Sequence, residues 1–233
     1  MEQNPGKVMN NCITCEFRSP MFNFLSREEL LMVGENRVPV TFKSGETIRK
    51  QGTFMTHVIS VTSGLAKLYL EGKGNTNNIL RIVKPTNFIG GPAIYLDQIH
   101  HFTVTALMET SVCFIDLLVF KSILHQNQKF AEEFMKDYSR NVLSSYYRLI
   151  ALTNKQIPGR MADTLIYLFE SVYENTTISL EISKQDLADL SAMSRDSATR
   201  ILREFQNDGI ISITKDELVL VDPDALKRIS KTG

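Results

Sequence analysis

The stretch Glu181-Ile182-Ser183-Lys184-Gln185-Asp186-Leu187-Ala188-Asp189-Leu190-Ser191-Ala192-Met193-Ser194-Arg195-Asp196-Ser197-Ala198-Thr199-Arg200-Ile201-Leu202 decides how the rest of the chain is read. Ser183 and Asp186 have the spacing of a capping box, in which each side chain bonds the other residue's backbone N–H at a helix start. The helix they open carries Leu187, Ala188 and Leu190. A tight turn at Ala192-Met193 follows, and Ser194 suits the N-cap of a second helix. In that helix Ala198, Ile201, Leu202 and Phe205 recur at i, i+3, i+4 and i+7, the spacing of a core-facing stripe. The other face carries Arg195, Asp196, Thr199, Arg200 and Arg203. Gly209 suits the residue just past a helix end. Residues 210–213 and 218–221 then alternate around the polar turn 214–217 and form a small wing. Two helices, a short turn and a wing predict a winged helix-turn-helix. One helix of this shape fits the major groove, where its first turns reach base edges. Arg195 and Arg200 are long enough to bond guanine O6 and N7 bidentately, and Asp196 can accept from cytosine N4. Thr199 and the helix-start residues Ser183 and Ser194 complete the candidate DNA face.

Charge does not advertise this role. Lys plus Arg number 26 and Asp plus Glu 26 in 233 residues, so the net charge is 0. Residues 180–233 hold 8 Lys or Arg against 10 Asp or Glu, a net of −2. DNA contact must therefore come from a local patch, the three arginines of the second helix, and not from a global basic excess. Hydrophobic residues at 43% and charged residues at 22% exclude a disordered or collagen-like chain. At roughly 150 residues per domain the length allows one large domain or two modest ones. The longest apolar runs, such as Leu117-Leu118-Val119-Phe120, are too short to span a bilayer. Residues 1–11 lack the apolar core of a secretory signal, and three cysteines make no extracellular disulfide framework. The expectation is a soluble, cytoplasmic protein with no membrane partner.

Working back toward the start, Pro158-Gly159 marks a hinge, with Pro158 suited to a helix start. Residues 160–173 form a helix with Met161, Leu165, Leu168, Phe169 and Val172 on one face. From 127 to 152 another helix runs without Gly or Pro, and its stripe is Phe130, Phe134, Tyr138, Val142, Tyr146, Leu149 and Leu152. So long a stripe exceeds what one small barrel can cover, which predicts dimerisation through it. From about 38 to 116 the chain breaks into short runs rich in Val, Ile and Phe, separated by glycine and polar turns. That spacing suggests an antiparallel barrel or sandwich. The domains are thus an arm at 1–25, a sensor barrel at 26–126, a dimerisation helix at 127–155 and a DNA-binding domain at 156–233. No Walker loop, G-x-S-x-G elbow or H-E-x-x-H motif supports an enzyme. Cys12-Ile13-Thr14-Cys15 lacks the strand and helix that a thiol oxidoreductase needs around its CxxC. A regulatory module that binds a ligand without DNA is the other rival, and the second helix argues against it.

The 181–202 stretch resembles the helix-turn-helix of the Crp/Fnr family of bacterial transcription regulators. Phe42-Lys43-Ser44-Gly45-Glu46-Thr47-Ile48, Gln51-Gly52, Val61-Thr62-Ser63-Gly64 and Asn87-Phe88-Ile89-Gly90 resemble the family's sensor domain in the same order. The resemblance covers nearly the whole chain. It implies an α+β protein: an antiparallel β-roll of the double-stranded β-helix or jelly-roll type, a long dimerisation helix and a winged helix-turn-helix. It implies a homodimer on an inverted repeat of double-stranded DNA, a small-molecule or redox effector sensed by the barrel, and contact with RNA polymerase if the protein activates. Asp196 replaces the commoner Glu, and Ala192 stands where a turn glycine is common. If Ala192 has positive φ, it costs about 1 kcal/mol.

Cyclic-AMP-binding members carry Gly-Glu-Leu and, about ten residues on, Arg-Ser, whose arginine pairs the cyclic phosphate. Here those places read Gly90-Gly91-Pro92 and His101-Phe102. These five residues are the candidate effector pocket, and the missing charged anchors weigh against cyclic AMP. The oxygen-sensing branch suggests an iron–sulfur cluster as an alternative, on Cys12, Cys15 and Cys113. Four thiolates usually hold such a cluster, and the fourth place falls near Met21. His57, His100, His101 and His125 are further ligand candidates. Without metal, the arm before Ser26 is expected to be poorly held. Effector, operator and sign of regulation stay open at this point.

Overall fold

The computed structural model describes residues 12–72 and 77–233. Ser26 caps α1 (Arg27–Glu35) through a reciprocal capping box with Glu29. Eight strands follow: β1 (Arg37–Phe42), β2 (Thr47–Arg49), β3 (His57–Ser63), β4 (Ala66–Glu71), β5 (Asn77–Val83), β6 (Phe88–Ile89), β7 (Thr103–Ala106) and β8 (Thr110–Asp116). They form two four-stranded sheets, ordered β1-β8-β3-β6 and β2-β7-β4-β5. The pairs β1–β8 and β3–β8 are antiparallel, with Val38 and Ile59 both opposite Phe114. This is the antiparallel roll that the short runs imply. Gly64 turns the chain between β3 and β4 at φ +77°, and a Cβ there would run into Glu109 O and Thr110. Only glycine supplies both the left-handed conformation and the space.

Asp116 caps α2 (Leu117–Gln126), and α3 (Gln128–Asn154) follows after one residue. The chain forms two compact units. One comprises residues up to Leu68 with Val83–Asn141, the other Tyr69–Ile82 with Val142–Gly233, so α3 has its start in one and its end in the other. At the centre of the first unit Phe120 meets Phe88, Phe130 and Phe134 at ring-centroid distances of 5.7, 5.6 and 5.5 Å. Phe22, from the turn Pro20–Phe24, packs on Phe88 and Phe130.

This cluster corrects two expectations. Phe130 and Phe134 are buried in the sensor core and do not belong to a dimer face. The described part of the arm, residues 12–25, is not loose: Cys12, Met21, Phe22 and Leu25 are buried in the same core. The helical stripe was read correctly as apolar, but periodicity does not say which surface covers it. Farther along α3, Tyr138 and Val142 are half-buried while Tyr146 and Leu149 are 60% and 59% exposed. The remainder of the 1–25 arm, residues 1–11, lies outside the described residues.

The second unit adds α4 (Ile157–Tyr167), continued by a π turn at Leu168–Val172, then β9 (Thr177–Ser179), α5 (Lys184–Leu190), α6 (Arg195–Asn207), β10 (Ile211–Ile213), β11 (Glu217–Leu220) and α7 (Pro223–Thr232). The wing is a three-stranded sheet, β10-β11-β9. Its third strand, β9, has only three residues and no period to betray it. Among the described residues no helix is long and apolar enough to cross a membrane.

Candidate functional site

Two caps and one strained residue aim the recognition helix. Ser183 and Asp186 form the capping box of α5, with Ser183 Oγ donating to Asp186 Oδ2 at 2.6 Å. The Ser183 hydroxyl is thus committed to its own helix. The turn passes through Ala192 at φ +47°, the left-handed conformation that glycine adopts more cheaply. Arg160 Nη1 donates to Ala192 O at 2.8 Å and Met193 N to Ala188 O at 3.0 Å, which hold the turn. Ser194 Oγ then accepts from Ser197 N and starts α6. Ala198, Ile201, Leu202 and Phe205 are all buried, and Gly209 ends the run at φ +71°.

What remains outward is the charged face. Arg195, Asp196 and Arg200 are exposed and Thr199 is half-buried. Asp196, Thr199, Arg200 and Arg203 line one groove along α6. Thr199 Oγ1 donates to Arg195 O at 2.9 Å, and Arg200 Nη1 donates to Glu204 Oε1 at 2.8 Å. An exposed i,i+4 pair of this kind is worth under about 1 kcal/mol, so Arg200 can leave it for a base edge at small cost.

In the sensor roll, Gly90-Gly91-Pro92 lead into the short turn Gly91–Ile94, with Gly91 at φ +47°. His101 Nε2 lies 3.2 Å from Asp97 Oδ1, and Phe102 is edge-on to its ring. Both are half-buried. Its chain neighbour is different. His100 is only 5% exposed and its Nε2 has no hydrogen-bond partner. Backbone bonds to Gly52 and Thr53 pin it from both sides. Burial, aided by Arg49 and His101, pushes its pKa down from 6.5 to about 4. Arg49 itself lies over the Phe114 ring at 4.6 Å. Sequence reasoning passed over Arg49 and Phe114 and named His100 only among the ligand candidates, since nothing local separates His100 from His101.

Cys12 and Cys113 meet at an arginine. Arg37 Nη1 donates to Cys113 Sγ at 3.2 Å and also interacts with Cys12. Burial pushes both thiols upward, against the pull of Arg37. Met21, at the fourth place, is packed into the core. Among the described residues no three His, Cys, Asp or Glu are arranged to hold a metal ion. His57 and His125 stack edge-on against Phe114 and Tyr95. The residues do not fit an iron–sulfur cluster.

A two-sheet roll, a long helix and a winged helix-turn-helix with a bare recognition face together define a DNA-binding transcription regulator. Residues 39–127 match the cyclic nucleotide-binding domain and residues 159–229 the Crp-like helix-turn-helix domain. The chain belongs to the Crp/Fnr family of transcription regulators. It is 20% identical over 215 residues to the CRP-like cAMP-activated global transcriptional regulator of Mycobacterium tuberculosis, covering 91% of this chain and 96% of that one. It is 22% identical over 217 residues to the nitrogen fixation regulation protein FixK of Bradyrhizobium diazoefficiens, covering 91% and 90%. Of solved structures, FixK2 from Bradyrhizobium japonicum shares the fold with a TM-score of 0.76 at 16% identity, over 84% of this chain and 98% of that one. Its relatives are regulators, and the chain is a regulator and not an enzyme.

Proposed function

We propose that the protein works as a homodimer that reads an inverted-repeat operator through Arg195, Asp196, Thr199 and Arg200. In this reading residues 26–126 are the sensor, 127–155 the dimerisation helix and 156–233 the DNA-binding part. The carrying observation is the recognition helix, rigidly capped and buried on one face, with base-reading side chains bare on the other. Arg200→Ala weakens binding to a selected cognate site by about 1–3 kcal/mol and leaves random DNA nearly unaffected. Equal losses on both would make Arg200 a phosphate contact and sink the readout. The exposed residues Leu143, Tyr146, Leu149 and Ile150 of α3 support the dimer, since two copies would bury them and set the recognition helices about one DNA turn apart. A monomer by light scattering at micromolar concentration overturns it.

The sensor's ligand is a small molecule other than cyclic AMP. The residues at the two anchor places, Gly91 and His101, supply neither a carboxylate for ribose nor a fork for phosphate. A ligand at 100 times its Kd adds about 2.7 kcal/mol of stability, so millimolar cyclic AMP leaves the melting temperature unchanged. An upward shift would restore it as effector. Acting on bacterial DNA places the protein in the cytoplasm.

A further inference from the structure

Arg200 lies midway between two carboxylates on α6, with Asp196 four residues before it and Glu204 four residues after. All three line the groove along that helix. Residues four apart on a helix are neighbours, so either carboxylate is within reach of the guanidinium. In isolated helices the better pair has its acid on the N-terminal side, which favours Asp196. The structure holds the other pair: Arg200 Nη1 donates to Glu204 Oε1 at 2.8 Å. Asp196 is exposed and, among the described residues, takes part in no ion pair.

The choice of partner has a chemical consequence. A bond between Arg200 and Asp196 would tie two candidate base readers to each other, and DNA would have to break it. Glu204 occupies only one terminal nitrogen of Arg200. Nε and Nη2 stay uncommitted on a side chain that is 59% exposed. These two nitrogens form one edge of the guanidinium fork, a pair of donors that suits guanine O6 and N7. A long side chain that is already tethered also loses less freedom when it docks.

We infer that Glu204 is a positioning residue for operator readout: it keeps Arg200 off Asp196 and tethers it, so that Arg200 reads a base edge without having to leave its partner. This role rests on Arg200 being a base reader, as proposed above. A carboxylate beside DNA also repels phosphate, so Glu204 weakens the grip on all DNA while sharpening the choice among sequences.

Fluorescence anisotropy of the full chain tests this, with a duplex that the chain itself selects from a random-sequence library and a scrambled duplex of the same length. Glu204→Ala binds the selected duplex about threefold more weakly, the order expected for one exposed ion pair, and the scrambled duplex no more weakly. Glu204→Gln keeps the acceptor and recovers most of the loss. In an Arg200→Ala background Glu204→Ala costs nothing further on the selected duplex. Both side chains are exposed, and circular dichroism confirms that each variant is folded. A Glu204→Ala change of equal size on both duplexes, or no loss on the selected one, overturns the role while Arg200 still stands as a base reader. A loss that persists without Arg200 overturns it too. Equal losses from Arg200→Ala on the two duplexes remove the base reader itself, and the role of Glu204 with it.

Discussion

At the centre of the first unit Phe120 touches three other phenylalanine rings, and no hydrogen bond is involved. At the centre of the second unit Ser191 is fully buried, donates to Leu187 O at 2.8 Å and shares a 2.9 Å hydrogen bond with Thr164 Oγ1. Around it Arg148 binds two carbonyls, Arg160 a third, and Lys155 an aspartate. The sensor is held by shape, which tolerates repacking but not lost volume. The DNA-binding unit adds direction to its own apolar core, and direction does not tolerate lost partners. A unit that must present one helix at a defined angle gains from bonds that fix orientation.

The largest effect expected from this contrast is at Phe120. Phe120→Ala removes a ring from the middle of the aromatic cluster and costs about 3–5 kcal/mol in denaturant titrations. A loss under about 1 kcal/mol would mean that shape does not hold this unit. The second test targets the exception in the sensor, buried His100. Its folded pKa of about 4 lies below the ordinary 6.5, so between these values the unfolded chain binds a proton that the folded chain refuses. Stability is therefore complete above pH 6.5 and falls as pH drops toward 4, by about 3 kcal/mol from this group. His100→Gln flattens that window, and an unchanged slope would remove His100 from the account.

In the second unit Ser191→Ala deletes one oxygen yet strips Thr164 of its partner, at a cost of about 1–3 kcal/mol. A double-mutant cycle with Thr164→Val should show coupling, because the two hydroxyls share one bond. Additive losses would break the claim that direction holds this unit. The smallest effect has the opposite sign. Ala192→Gly relieves the left-handed turn residue and raises the melting midpoint by the equivalent of about 1 kcal/mol. A fall would show that Ala192 is not strained where it stands.

The recognition region was legible because its signals are local. Ser183 with Asp186, Ser194 and Gly209 mark helix ends by their own chemistry, and the stripe of Ala198, Ile201, Leu202 and Phe205 has a surface of its own to cover. The roll was legible as a class and not strand by strand. Thr47–Arg49 and Phe88–Ile89 are too short to show a period. The errors fell where the covering partner is remote in sequence. Phe130 and Phe134 form a proper helical stripe, but Phe22, Phe88 and Phe120 cover it. His100 and His101 differ only in which way the chain turns them, and this depends on Gly52 and Thr53 some fifty residues away.

Arg148 has a consequence for how the protein responds to its surroundings. Its guanidinium ties the β5 carbonyl of Leu80 to the last residue of α5, meeting a carbonyl that the helix leaves without an internal partner. Burial lowers its hold on the proton, yet a guanidinium stays charged at any pH a cell reaches. A histidine in that place would make the tie a reporter of acidity, and a lysine one of acetylation. With arginine the joint has no dial. Acid stress can unsettle the sensor through His100 while the scaffold beneath the recognition helix keeps its setting, so loss of response and loss of DNA grip should arrive at different pH values.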